Sequence, residues 1–192
     1  MKKYFFLFLF SSIALLSCSD VKNNSVRNDY FDLKSYMEKE TRKLHDQKHS
    51  VLKVVAVNGD KQEARFPEID WKREFESFFS ADIHGDAFTG KYVVDTSRIV
   101  NDSTNEIIIR YAAKDETLKT RLLEIHFNTA NNIMLIRAEL YSKNIIAGLG
   151  ESLMYNPGKY YRVVNTEESR WFGTDEFLIE GMIESTEAPE LK

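Results

Sequence analysis

The 192-residue chain has one cysteine, Cys18, so no disulfide can close within it and the fold must stand on its apolar core. It has no block of five or more basic residues. Residues 1–17 contain Lys2 and Lys3 and no acid, so leaving them out moves the formal net charge from −4 to about −6. That sign gives no general attraction to nucleic acid or to anionic lipid head groups. Long apolar runs are missing too. The stretch Tyr4 to Leu16 has 13 residues, whereas a bilayer span needs roughly 20. Serine nucleophile elbows, Walker loops, dinucleotide fingerprints, EF-hand loops and HExxH are all absent, and Gly148-Leu149-Gly150 fits none of them. None of these motif-defined catalytic classes is supported, so the chain reads as a non-enzyme without a cofactor.

What is present begins at the N-terminus. Lys2 and Lys3 form a positive region, Tyr4 to Leu16 an apolar one, and the run closes on Leu15-Leu16-Ser17-Cys18. This ending resembles the lipobox of bacterial lipoproteins. The resemblance implies cleavage before Cys18, diacylglycerol on its sulfur and acylation of its new amine. An ordinary secretory signal would end in small residues, as in Ala-x-Ala, but Leu15 stands here. The length of the run, with Ser11 and Ser12 inside it, disfavours an uncleaved anchor. Membrane attachment then comes from the acyl chains, each buried CH₂ contributing about 0.8 kcal/mol. In enterobacterial lipoproteins, aspartate directly after the cysteine retains the protein at the inner membrane. Ser19 holds that place here, which favours the outer membrane.

The sequence divides into a signal peptide (1–17), the lipidated cysteine with a polar tether (18–28), one domain (29–186) and a frayed tail (187–192). The tether SDVKNNSVRN lacks hydrophobic periodicity and carries three asparagines. Tyr30, Leu33, Met37 and Leu44 then recur at spacings of three, four and seven, one stripe of an amphipathic helix over Asp29 to Asp46. Val51 to Val57 is β-branched, Asn58-Gly59 is a hairpin turn, and Asp60 to Phe66 returns as a strand that Pro67 ends. Asp70 caps a second helix with Trp71, Phe75, Phe78 and Phe79 on one face, the expected plug of the core. Strand signals follow at Lys91–Val100, Glu106–Ala113, Lys119–Asn128, Ile133–Ser142, Gly158–Glu167 and Glu176–Glu184. Short connections such as Asn101 to Asn105 and Thr129 to Asn132 favour antiparallel neighbours, since a parallel crossover needs a dozen or more residues. The expected fold is α+β: an antiparallel meander of six to eight strands with two amphipathic helices packed on one face.

Val57-Asn58-Gly59, Ile69-Asp70-Trp71-Lys72-Arg73-Glu74-Phe75, Ala81-Asp82-Ile83 and Gly90-Lys91-Tyr92 resemble an uncharacterised family of Bacteroidota lipoproteins. The likeness extends more loosely to the C-terminus and implies no activity. It departs at His84-Gly85-Asp86, where the family pattern is nearer Asn-Lys-Pro.

Three constellations are candidates for chemistry. Asp82, His84 and Asp86 put an imidazole between two carboxylates on a glycine-containing loop, a donor set suited to zinc or another divalent cation if the loop curls. A solvated loop is the reading preferred over metal. His45 and His49 stand four residues apart, as metal-binding pairs on helices do, but the helix signal fades there. Glu124 and His126 share the outward side of a strand and read as ordinary surface. The functional expectation is a lipid-anchored, non-enzymatic protein of the outer membrane, facing periplasm or cell surface. It would offer its sheet to a protein or envelope partner and be monomeric by default. The alternatives are a carrier of lipid or another apolar ligand in a concave sheet face and, behind it, a metal-dependent enzyme.

Overall fold

The computed structural model describes residues 30–101, 104–171 and 173–185. The signal peptide, Cys18 with the tether, and the tail at 187–192 lie outside the described residues. In chain order the elements are helix α1 (Leu33–Asp46), strands β1 (Ser50–Val57) and β2 (Asp60–Phe66), and helices α2 (Trp71–Glu74) and α3 (Glu76–Ser80). A 3₁₀ turn (Asp86–Phe88) leads into β3 (Tyr92–Asn101), β4 (Thr104–Ala113), β5 (Thr120–Asn128), β6 (Ile133–Lys143), β7 (Ala147–Asn156), β8 (Tyr160–Ser169) and β9 (Gly173–Glu184).

All nine strands form one antiparallel sheet in the order β2-β1-β9-β8-β7-β6-β5-β4-β3. Strands β3 to β9 are a meander, as the short connections require. Its last strand then pairs with β1, so the N-terminal hairpin extends the far edge. That hairpin turns at Asn58 and Gly59, both with positive φ (49° and 95°), the conformation that asparagine and glycine tolerate best. The Asn58 side chain also accepts from the Glu176 backbone N–H at 2.9 Å, tying the turn to β9.

Two expectations need correction. The sheet has nine strands, not six to eight, because β7 lacks a clear apolar alternation: Gly148 and Gly150 stand where outward side chains would be. The Tyr141 ring covers them, its hydroxyl 2.6 Å from where a Cβ on Gly148 would sit. The expected second helix is also interrupted. Phe75 ends α2 and begins α3 (φ −99°, ψ 19°), leaving helices of four and five residues, so the fold is largely β with α1 its one long helix among the described residues. No helix of the described residues is long and apolar enough to cross a membrane.

The helices cover one face of the sheet. Asp32 and Asp70 cap α1 and α2 through hydrogen bonds to Ser35 N and to Lys72 N and Arg73 N. Leu33, Met37 and Leu44 of α1 are fully buried with Leu123, Ile125 and Ile136 of the sheet. Phe75 lies at the centre, its ring 5.1 to 5.6 Å from those of Trp71, Phe78, Tyr155 and Tyr161. Phe79, expected on the same buried face, is only partly buried at the margin of the core. Two tyrosines fasten helices to strands: Tyr155 donates to Glu40 of α1 at 2.7 Å, and Tyr161 donates to Glu74 of α2 at 2.5 Å. Glu74 in turn pairs with Lys53 of β1 at 2.8 Å.

Burial, with the carboxylate beside each hydroxyl, pushes both phenols above the ordinary tyrosine range, and burial holds Tyr92 up at about 12. The sign of the pH dependence follows. A raised folded-state pKa stabilises the fold fully below the unfolded value near 10, and that contribution is lost as pH rises above it. Urea midpoints measured from pH 9 to 12 are therefore expected to fall steeply above about 10. The fall should be shallower in a Tyr155→Phe, Tyr161→Phe double variant; an equal slope would contradict the assignment.

Candidate functional site

Strand alternation leaves the opposite face without a helix among the described residues. Its central cross-strand row runs Asp95, Arg110, Glu124, Arg137, Met154, Arg162, Glu180, Val54 and Glu63, from β3 across to β2. Opposite charges adjoin along much of this row, an arrangement that favours its register. Apolar side chains flank it: Val93 and Met182 are exposed, and Ile108 and Leu122 half-buried.

The row tightens at β4 and β5. Arg110 holds Glu124 with its Nε 2.7 Å from Oε1 and a terminal guanidinium nitrogen at 2.6 Å. One step along β5, His126 Nδ1 lies 2.6 Å from Glu106 Oε1, so that nitrogen carries the proton. His126 Nε2 is 3.8 Å from Glu124 Oε2, beyond hydrogen-bond reach, and is buried with no hydrogen-bond partner. Glu124 and His126 are only 7% and 8% exposed, which corrects the reading of this pair as ordinary surface. They do point outward, but the side chains of the adjoining strands enclose them. The strand pattern gave the direction of the two side chains. Their enclosure depends on Glu106 and Arg110, which come from β4, and only the register brings those four together.

A buried polar atom without a partner is costly, on the order of 1 to 3 kcal/mol. Exposed ion pairs such as Arg162–Glu180, at 3.3 Å, contribute much less. Tyr160 also donates to Glu180 at 2.8 Å, and partial burial with that carboxylate pushes its hydroxyl up to about 12. Chemically, the centre of this face is an Arg110–Glu124 ion pair beside a Glu106–His126 hydrogen bond. The charged side chains around it are suited to meeting charges of either sign.

Of the other sequence candidates, Asp82, His84 and His49 have structural partners. Asp82 accepts from Lys34 N at 3.2 Å, and His84 Nδ1 is 3.1 Å from the Tyr30 carbonyl, so their loop is fastened to the segment entering α1. Burial raises the Asp82 carboxyl above its ordinary value, a shift opposed by the backbone N–H groups of Lys34 and His84. Asp86 begins the 3₁₀ turn. His49 lies past the end of α1, after Lys48 with φ 52°, and contacts Glu184 O and Gln47 Oε1, so it shares no helix face with His45. Among the described residues no group of three or more His, Cys, Asp or Glu is placed to hold a metal ion.

Sequence reasoning missed two open grooves on the helix side, which form between elements distant in sequence. One, of about 830 Å³, lies between α1 and residues 68–72, with Glu38, Arg42 and His45 facing Glu68, Asp70 and Lys72. The second, of about 510 Å³, lies beside α2 and α3 and is bounded by Phe66, Val163 and Ile179 with Lys53, Arg73 and Glu74. No protein-family model, no curated protein and no solved structure matches this chain.

Proposed function

We propose that the protein is a bacterial lipoprotein held at the outer membrane through lipid on Cys18, and that it binds a protein partner of the cell envelope with its uncovered sheet face. The N-terminal sequence supports the anchor, through the two lysines, the apolar run and Leu15-Leu16-Ser17-Cys18. Ser19 supports the outer membrane. The partner face rests on one observation: a broad strand surface with no helix over it among the described residues, charged in alternating sign along much of its central row. The domain acts without catalysis or cofactor, does not bind nucleic acid, and is monomeric.

The second groove gives the carrier reading a place. Against it, the space beneath the helices is filled by the rings of Phe75, Phe78, Tyr155 and Tyr161, all fully buried. Native mass spectrometry of protein made in a bacterium decides: co-purified lipid would support the carrier. To test the partner face, a photo-crosslinking amino acid is placed at Ser97, Arg137 or Ser152 on the uncovered face, or at Arg42 in the first groove. Adducts in living cells are expected from the first three positions. Adducts confined to position 42 would move the partner to the helix side.

A further inference from the structure

Two hairpin turns at one end of the sheet expose large apolar side chains: Ile145 and Ile146 at the β6–β7 turn are 89% and 59% exposed, and Trp171 at the β8–β9 turn is 66% exposed. The two turns are joined, since Ala147 pairs with Ser169 and Arg170 N donates to Ile146 O at 3.2 Å. Lys143 and Arg170 flank them, with Glu168 beside.

The described chain begins at this same end. Tyr92, the first residue of β3, donates its backbone N–H to the Tyr30 hydroxyl at 3.1 Å, and that hydroxyl lies 3.2 Å from Tyr92 O. Antiparallel order puts the start of β3 at the end of the sheet where β6 ends and β7 begins. Eleven residues separate Cys18 from Tyr30, a reach of about 40 Å when extended. A bilayer holding lipid on Cys18 therefore lies within reach of the turns.

We infer that Ile145, Ile146 and Trp171 dip into the lipid surface to which the chain is anchored, an inference that rests on the proposed lipidation of Cys18. Three side chains on narrow turns are too small a patch for a stable protein interface, which needs roughly 1,000 Å². They suit the membrane–water boundary, where a tryptophan ring lies at head-group level and basic side chains reach back to phosphates. With an acidic domain, the contact must be made by apolar insertion rather than by charge. The contact sets orientation: the strands stand upright on the membrane, and the uncovered face looks sideways along it.

The chain has two tryptophans, and Trp71 is buried in the core at 3% exposure, so Trp171 can be read by fluorescence. The processed full-length protein is reconstituted into vesicles of phosphatidylethanolamine and phosphatidylglycerol with brominated acyl chains. Flotation reads the anchor and bromine quenching reads the turns. Quenching is expected, lost in Trp171→Phe and reduced in an Ile145→Ser, Ile146→Ser variant, with all variants still floating. Flotation without quenching, or quenching that survives in Trp171→Phe, would overturn the turn contact and leave the anchor standing. Failure to float would overturn both. A blue shift that follows protein concentration instead of bromine would assign the turns to a second copy of the chain and also overturn the inference.

Discussion

Phe75→Ala is expected to remove about 3 to 5 kcal/mol, close to the whole stability of a small domain. Phe75 is fully buried and its ring stacks edge-on or tilted against Trp71, Phe78, Tyr155 and Tyr161. Removing it takes away a large apolar group and leaves a space that four rings cannot all collapse to fill. Tyr155 and Tyr161 are held by Glu40 and Glu74, and Trp71 begins a capped helix. Relaxation of those three rings toward the cavity would have to break one of these ties, which leaves only Phe78 free to move in, so the loss should sit near the upper end of the range. Chemical denaturation reads it as a lower midpoint. A change under 1 kcal/mol would place Phe75 outside the core.

Gly181→Ala is expected to be almost as damaging, although it adds one methyl group. Gly181 of β9 pairs with Tyr161 of β8, and the tyrosine ring lies flat across it on the helix side, where an alanine Cβ would overlap the ring. The ring has nowhere to go: it is fully buried, packed on Phe75 and bonded to Glu74, which also holds Lys53. Overpacking of this kind costs about 1 to 3 kcal/mol, and losing the Tyr161–Glu74 bond adds to it. Gly150→Ala is the control, because its nearest neighbours stand 3.9 Å from the added carbon and its loss should be within about 0.5 kcal/mol. A Tyr161→Leu background should absorb much of the Gly181→Ala effect. Additive losses would mean that the ring is not the obstacle.

The strands with clean alternation, β5 and β6, were legible because each carries its own signal: Leu123, Ile125 and Phe127 mark one side, and Arg137, Glu139 and Tyr141 the other. The Asn58-Gly59 turn and the Asp70 cap were legible for the same reason, since one or two residues decide them. Strand β7 was not, because its glycines make sense only once Tyr141, from the neighbouring strand, lies over them. The break at Phe75 was hidden for a similar reason. Helical spacing continues through it, and what the ring packs against across the sheet is not local information. The candidate site follows the same rule. Glu124 and His126 could be placed on a face from β5 alone, but their enclosure by Glu106 and Arg110 requires the pairing of β4 with β5. The grooves and the apolar turns likewise depend on which elements meet.

The uncovered face acts on an envelope partner only if the chain is held in the envelope, so lipid on Cys18 is the claim on which the functional account depends. Cells expressing the full chain are fed an alkyne analogue of palmitate, and the protein is recovered from washed membranes, coupled to a fluorophore and measured in a gel. The account predicts a labelled protein in the membrane fraction, and a Cys18→Ala variant that carries no label and accumulates as uncut precursor. A wild-type chain without label, or a label that persists in Cys18→Ala, would contradict it.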